Sequence, residues 1–187
     1  MKRAPLVLLL LLVVATAAHA TQIIYKSPRD LGREASLVVD GQVASVRSYW
    51  NAAHTAIFTE TTVVVGSTYK GEGVGVVRVV QPGGTVGHVR TTVAGALAWQ
   101  VGEEVVLFLE PGADNAWQVA GFSQGKFNIQ REPGSNRVFV QAPDLSGVEL
   151  VNAPADAGAP PAQIKKMSVE TFINQALGRV EGGISNE

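Results

Sequence analysis

Between Ser36 and Gln141 apolar and polar residues alternate over short runs, the period of two that predicts half-buried strands. Ser36 to Arg47 predicts a long strand with Leu37, Val39 and Val43 on one face. Val46 falls on the other parity, so a bulge near Gly41 to Ser45 is expected, and it would bend the strand as a barrel requires. Ala56 to Tyr69 predicts a second long strand, with Ile57, Phe58, Val63, Val64 and Val65 as its core candidates. Asn51 to Thr55 is the loop between these strands, and Lys70 to Gly73 is a turn. Val74 to Val80 predicts an alternating strand with Val74, Val76 and Val80 on one parity. Val86 to Val93 predicts a weaker strand after Pro82-Gly83-Gly84, and a loop follows to Gly102. Glu104 to Glu110 is the most apolar strand and is expected at the centre, with Val105, Leu107 and Leu109 inward. Trp117 to Phe122 returns across a turn at Pro111 to Asn115. Lys126 to Gln130 and Arg137 to Gln141 form a last hairpin around Pro133-Gly134.

Two segments carry helical spacing instead. Ser27-Pro28 supplies an N-cap and a first-turn proline for a short helix to Ala35, with Leu31 and Ala35 as its apolar pair. Ser168 caps an amphipathic helix over 168–180, in which Val169, Phe172, Ile173, Ala176, Leu177 and Val180 share one face. That face is expected to fold back on the strands. The fold class that emerges is mainly β: an OB-like antiparallel barrel over 21–141, with a short N-terminal helix and a C-terminal amphipathic helix. Residues 142–167, rich in Ala, Pro and Gly, read as a linker, and 181–187 as a polar tail.

The first twenty residues add a location. Lys2 and Arg3 precede the uncharged apolar run Leu6 to Ala18, and Ala18-His19-Ala20 has the small residues at Ala18 and Ala20 that a signal peptidase reads. Residues 1–20 are therefore expected to be a signal peptide, with a mature chain beginning at Thr21 that is secreted or periplasmic. No later stretch approaches membrane length.

The chain has no cysteine, so its stability rests on its core rather than on disulfides, and thiolate metal sites are excluded. Without Lys2 and Arg3 the 15 basic residues fall to 13 against 16 acidic, a net charge of −3. The basic residues are scattered, which argues against a nucleic-acid partner.

Catalytic patterns are sparse, and no catalytic, metal or cofactor site is expected. Gly121-Phe122-Ser123-Gln124-Gly125 matches a nucleophile elbow, but that motif needs a strand–turn–helix context and a later histidine. Strand follows strand here, and His88 is the last histidine, so a tight turn is the expected role. His54 and His88 have no ligand-spaced partner. Glu103 and Glu104 are the adjacent acid pair, and on a strand they point to opposite faces.

Several of these residues resemble a known family. Glu34-Ala35-Ser36-Leu37-Val38-Val39-Asp40-Gly41-Gln42-Val43 resembles the start of the first strand in netrin-like domains, whose best-known members are the tissue inhibitors of metalloproteinases. Tyr69-Lys70-Gly71 is similar to that family's Lys-Gly turn, and Val101 to Phe108 to a later strand. The resemblance covers Thr21 to Ile129. The animal inhibitors begin Cys-x-Cys, whereas this chain begins Thr21-Gln22-Ile23.

The resemblance implies an N-terminal ridge that inhibits an exported zinc protease. The α-amine and carbonyl oxygen of the first residue, here Thr21, would chelate the protease zinc. Gln22 would point to the pocket beside the metal, with Ile23 and Ile24 packed nearby. Thr85 and Val86, in the loop Gly84 to Gly87, would form the second contact. A free α-amine titrates near a pKa of about 8, so part of it is neutral at pH 7. Two other readings stay open. One is a structural envelope protein that docks through its C-terminal helix. The other is a barrel that binds a small ligand or oligosaccharide through Trp50 or Trp99.

Overall fold

The computed structural model describes residues 21–135, 137–143, 145, 148–154 and 167–179. The expected signal segment 1–20, the tail 181–187 and Val180 lie outside them.

Strand β1 is Thr21–Ile24, and helix α1 is Pro28–Glu34. Nine strands follow: β2 Leu37–Trp50, β3 Ile57–Lys70, β4 Val76–Pro82, β5 Gly84–Val86, β6 Val89–Thr91, β7 Glu104–Pro111, β8 Trp117–Val119, β9 Lys126–Arg131 and β10 Val138–Gln141. β11, Val148–Val151, and α2, Val169–Ala176, complete the described elements.

The protein is mainly β. Its large sheet runs β10-β9-β7-β2-β3-β4-β8, and β8 also pairs with β7. The ring β7-β2-β3-β4-β8 is thus partly closed, with the β4–β8 side held by one parallel pair, Val79↔Trp117. β2 bends to make this possible. Its register with β3 shifts at Val38/Val39, Asp40/Gly41 and Val43/Ser45, where the sequence pattern slips parity. Gly41 is required at this bend, since a Cβ there would lie 2.3 Å from the Val64 carbonyl oxygen. Asp40 fills the gap in the ladder, accepting from the Ser67 N–H at 2.7 Å and the Tyr69 hydroxyl at 2.5 Å.

β7 separates two cores. Val105, Leu107 and Leu109 face the ring interior with Leu37, Val39, Val43, Val63, Val77 and Val79. Val106 and Phe108 face outward, where α1 and α2 cover them. Phe108, Phe127 and Phe172 form an aromatic cluster there, with ring centroids 4.6–6.0 Å apart. α1 begins at a capping box of Ser27 and Asp30 and buries Leu31 and Ala35, as its sequence predicts. α2 folds back through Phe172, Ile173 and Ala176, and its C-cap is Leu177, short of the expected end at 180.

Several expectations are corrected. β3 faces inward with Ile57, Thr59, Thr61 and Val63, while Phe58 and Val65 are half-buried and Val64 is exposed. Thr59 fits this interior because its hydroxyl donates to the Gly83 carbonyl at 2.7 Å. β4 buries Val77 and Val79, the parity opposite to Val74, Val76 and Val80, because its register with β3 aligns Val77 with Val63. The single strand expected over Val86 to Val93 is instead part of a short hairpin, β5–β6, with His88 exposed in its turn. Within the expected linker, Val148–Val151 is a strand that pairs in parallel with β1, while 155–166 lie outside the described residues.

Candidate functional site

The N-terminal arm is built from both ends of the chain. β1 and β11 run in parallel, Thr21↔Val148 through Ile24↔Val151, and the Tyr25 N–H donates to the Val151 carbonyl at 2.9 Å. Gln22 donates through Nε2 to Glu149, its register partner, at 2.9 Å. In a strand, successive residues turn their main-chain groups to opposite edges. Tyr25 faces β11, so Gln22, Ile24 and Lys26 belong to the outer edge.

A buried side chain occupies that edge. The Gln124 amide accepts from the Lys26 N–H at 2.8 Å and donates to the Ile24 carbonyl at 2.9 Å, pairing with the arm as a neighbouring strand would. Its Nε2 also reaches the Gly121 carbonyl at 3.2 Å. Gln124 belongs to the Gly121-Phe122-Ser123-Gln124-Gly125 pattern, which forms a tight turn between β8 and β9. Ser123 Oγ is buried with no hydrogen-bond partner among the described residues. His54 and His88 lie elsewhere, His54 stacking on Trp50 and His88 in the β5–β6 turn.

The base of the arm is ionic. Lys26 pairs with Glu34, and the Lys26 hydrogen bond holds the Glu34 carboxyl below its usual pKa. The Ser27 hydrogen bonds do the same for Asp30. Above this base, Ile24 is 65% exposed and Phe122 is 38% exposed. Phe122 has a φ of 68°, a conformation that costs a non-glycine residue energy and that concentrates at functional sites. Gly95 packs between Phe122 and Val148, where a Cβ would sit 3.1 Å from the ring and 2.7 Å from Val148 Cγ1.

The structure therefore brings Thr21, Gln22, Ile23 and Ile24 together with β11, Gln124, Phe122 and Gly95. Ile23 is half-buried and Ile24 exposed. Thr85 and Val86 are placed differently, on a hairpin whose β5 packs on β2 and β3. Gly84, with φ at 135°, allows that close approach, since a Cβ would meet Ser48 Oγ and Thr59 Oγ1 at 2.4 Å. β11, Gln124 and Phe122 escaped sequence reading. Val148-Glu149-Leu150-Val151 was a visible apolar run, but the surrounding Ala, Pro and Gly masked it.

A polar cleft of about 470 Å³ lies between the loop at 98–104 and β9. Buried Lys126 donates to the Ala98 carbonyl at 2.9 Å, pairs with Glu103 at 2.9 Å, and sits 4.8 Å above the Trp99 ring. Glu104 instead pairs with Arg131, so the two adjacent acids have separate partners. Trp99 is half-buried beneath Lys126 and donates to Gln81, so it seats the lysine rather than offering an open ring. Among the described residues, no group of three or more His, Cys, Asp or Glu could hold a metal, and no helix is long and apolar enough to cross a membrane.

Compared with known protein families and with curated proteins, the chain matches no family model and no curated sequence.

Proposed function

We propose that this chain is an exported, non-enzymatic protein-binding module that acts through the ridge of β1 and β11. The partner class is a zinc protease outside the cytoplasm, engaged by the α-amine and carbonyl of Thr21 once residues 1–20 are removed; that carbonyl has the parity that faces β11, so it would coordinate through its second lone pair. The fold reading that goes with it is an OB-like barrel. What supports that reading is the partly closed five-stranded ring with a helix packed outside it.

The observation that carries the functional reading is the hold of Gln124 and β11 on the arm. Ordering a free six-residue arm on binding would cost about 1–2 kcal/mol per residue. An arm already ordered on the body avoids most of that cost, so a cysteine-free chain can present a rigid ridge without disulfides. Exposed Ile24 and strained, exposed Phe122 supply apolar contact area beside it. Docking through the C-terminal helix is less well supported, because Phe172, Ile173 and Ala176 already lie in the protein's own core.

The test is inhibition of peptide hydrolysis by the protein beginning at Thr21, against zinc and serine endoproteases secreted by the same organism. Inhibition confined to zinc enzymes supports the reading. Inhibition of serine enzymes alone, or of none, removes the zinc-directed mechanism.

A further inference from the structure

We propose that the cleft between residues 98–104 and β9 binds a neutral saccharide, independently of the ridge. The polar residues that line the cleft include Gln100, Glu103, Glu104, Lys126, Asn128, Gln130 and Arg131. At about 470 Å³ it falls within the range of small-molecule sites, about 300–1,000 Å³.

Its electrostatics select the ligand. Lys126 is neutralised by Glu103 and Arg131 by Glu104, so the four charged groups sum to zero. An anion therefore meets no net positive charge in the cleft, and a cation no net negative charge. Apolar ligands find little surface, since most of the lining is polar. A neutral polyhydroxylated molecule needs neither a net charge nor an apolar surface.

The hydrogen-bonding groups fit that chemistry. The side-chain amides of Gln100, Asn128 and Gln130 make no hydrogen bond to protein among the described residues. Each offers both a donor and an acceptor, which is what a hydroxyl requires. Arg131 uses only Nη2 on Glu104, which leaves Nε and Nη1 without a protein partner among the described residues. Position is fixed by the backbone: Asn128 is held in β9 between Val105 and Gln141, and alternation puts Lys126, Asn128 and Gln130 on one face, while Glu104 and Arg131, on the opposite parity, bound the cleft from its other side. Buried Lys126 and half-buried Glu103 pair in the lining. Such a pair is a weak source of stability, because desolvation offsets much of its attraction. Its two side chains add fixed polar groups to the cleft lining.

The experiment is amide-resolved NMR titration of the purified exported protein with maltotetraose, cellotetraose and chitotetraose, with citrate and spermidine as charged probes. At least one neutral saccharide should saturate and shift the side-chain amides of Gln100, Asn128 and Gln130. Loss of one hydrogen bond should weaken that binding about two- to tenfold in Asn128→Ala and in Gln130→Ala. Both variants should keep the wild-type melting temperature, which separates lost binding from lost folding. Saturation of these amides by citrate or spermidine alone overturns the proposal. So does the absence of any saccharide-induced shift there, and so does binding that both variants leave unchanged. The ridge assay reads a different surface, so either proposal can fail while the other stands.

Discussion

Gln124 holds Ile24 by a hydrogen bond of 2.9 Å from its side-chain amide to the main-chain carbonyl, across 100 residues of sequence. The same amide accepts from Lys26, so one buried side chain satisfies two main-chain groups of the arm. Gln124→Ala removes both bonds, and the one to the Gly121 carbonyl, at a buried site. It should cost on the order of 1–3 kcal/mol. Chemical denaturation gives the cost, and hydrogen exchange should locate new opening at residues 22–26. Unchanged exchange there would show that β11 alone holds the arm.

Gly32 tests how the two helices meet. Alanine in place of a helical glycine ordinarily stabilises by about 1 kcal/mol. Here a Cβ would fall 2.1 Å from the Ala176 carbonyl oxygen, which is backbone and cannot step aside alone. Gly32→Ala should therefore destabilise, by about 1–3 kcal/mol for a forced overpacking. A higher melting temperature in this variant would refute the close approach of α1 and α2.

The buried pair of Lys126 and Glu103 predicts a sign reversal. Lys126→Met alone leaves half-buried Glu103 without its cation, and should cost at most about 3 kcal/mol, the low end for breaking a buried pair. Adding Glu103→Gln removes the orphaned charge, so the double variant should be more stable than the single one. Urea denaturation of the three proteins measures this.

Much of the fold was legible because local signals agreed with global packing. Ser27-Pro28 announced α1, and the parity slip between Val43 and Val46 announced the bend of β2. Where the signals were ambiguous, pairing decided. Both parities of Val74 to Val80 are apolar, and only register with β3 turns Val77 and Val79 inward. Arg78, on the parity of Val76 and Val80, was the one local sign of that phase. Thr59 and Thr61 look polar in sequence, yet they line the interior of β3. Of the candidate site, Thr21 to Ile24 was named from sequence. Their strand partners in β11 are 127 residues away (148 − 21), and the clamp Gln124 is 100 residues from Ile24, beyond any local pattern.

Tyr69 predicts a response to alkali. Burial first, then the hydrogen bond and charge of Asp40, push its phenol up to about 12 from the ordinary 10. The folded state thus holds the phenolic proton more tightly than the unfolded chain. That contribution is complete below pH 10 and is lost as pH rises from 10 through about 12. Denaturation midpoints at pH 8 and pH 11 should fall further for the wild type than for Tyr69→Phe. Equal falls would remove Tyr69 as the cause.

The central claim is that the ridge acts through the terminal amine and carbonyl of Thr21. The direct measurement is the inhibition constant of the chain beginning at Thr21 beside that of a chain with one alanine added before it, on a zinc protease that the former inhibits. The extra residue moves the α-amine off the ridge by one strand step, about 3.3 Å. The account predicts an inhibition constant at least about tenfold higher for the extended chain, a loss of about 1.4 kcal/mol or more, with hydrogen exchange at 22–26 unchanged. Equal inhibition by the two chains would contradict it.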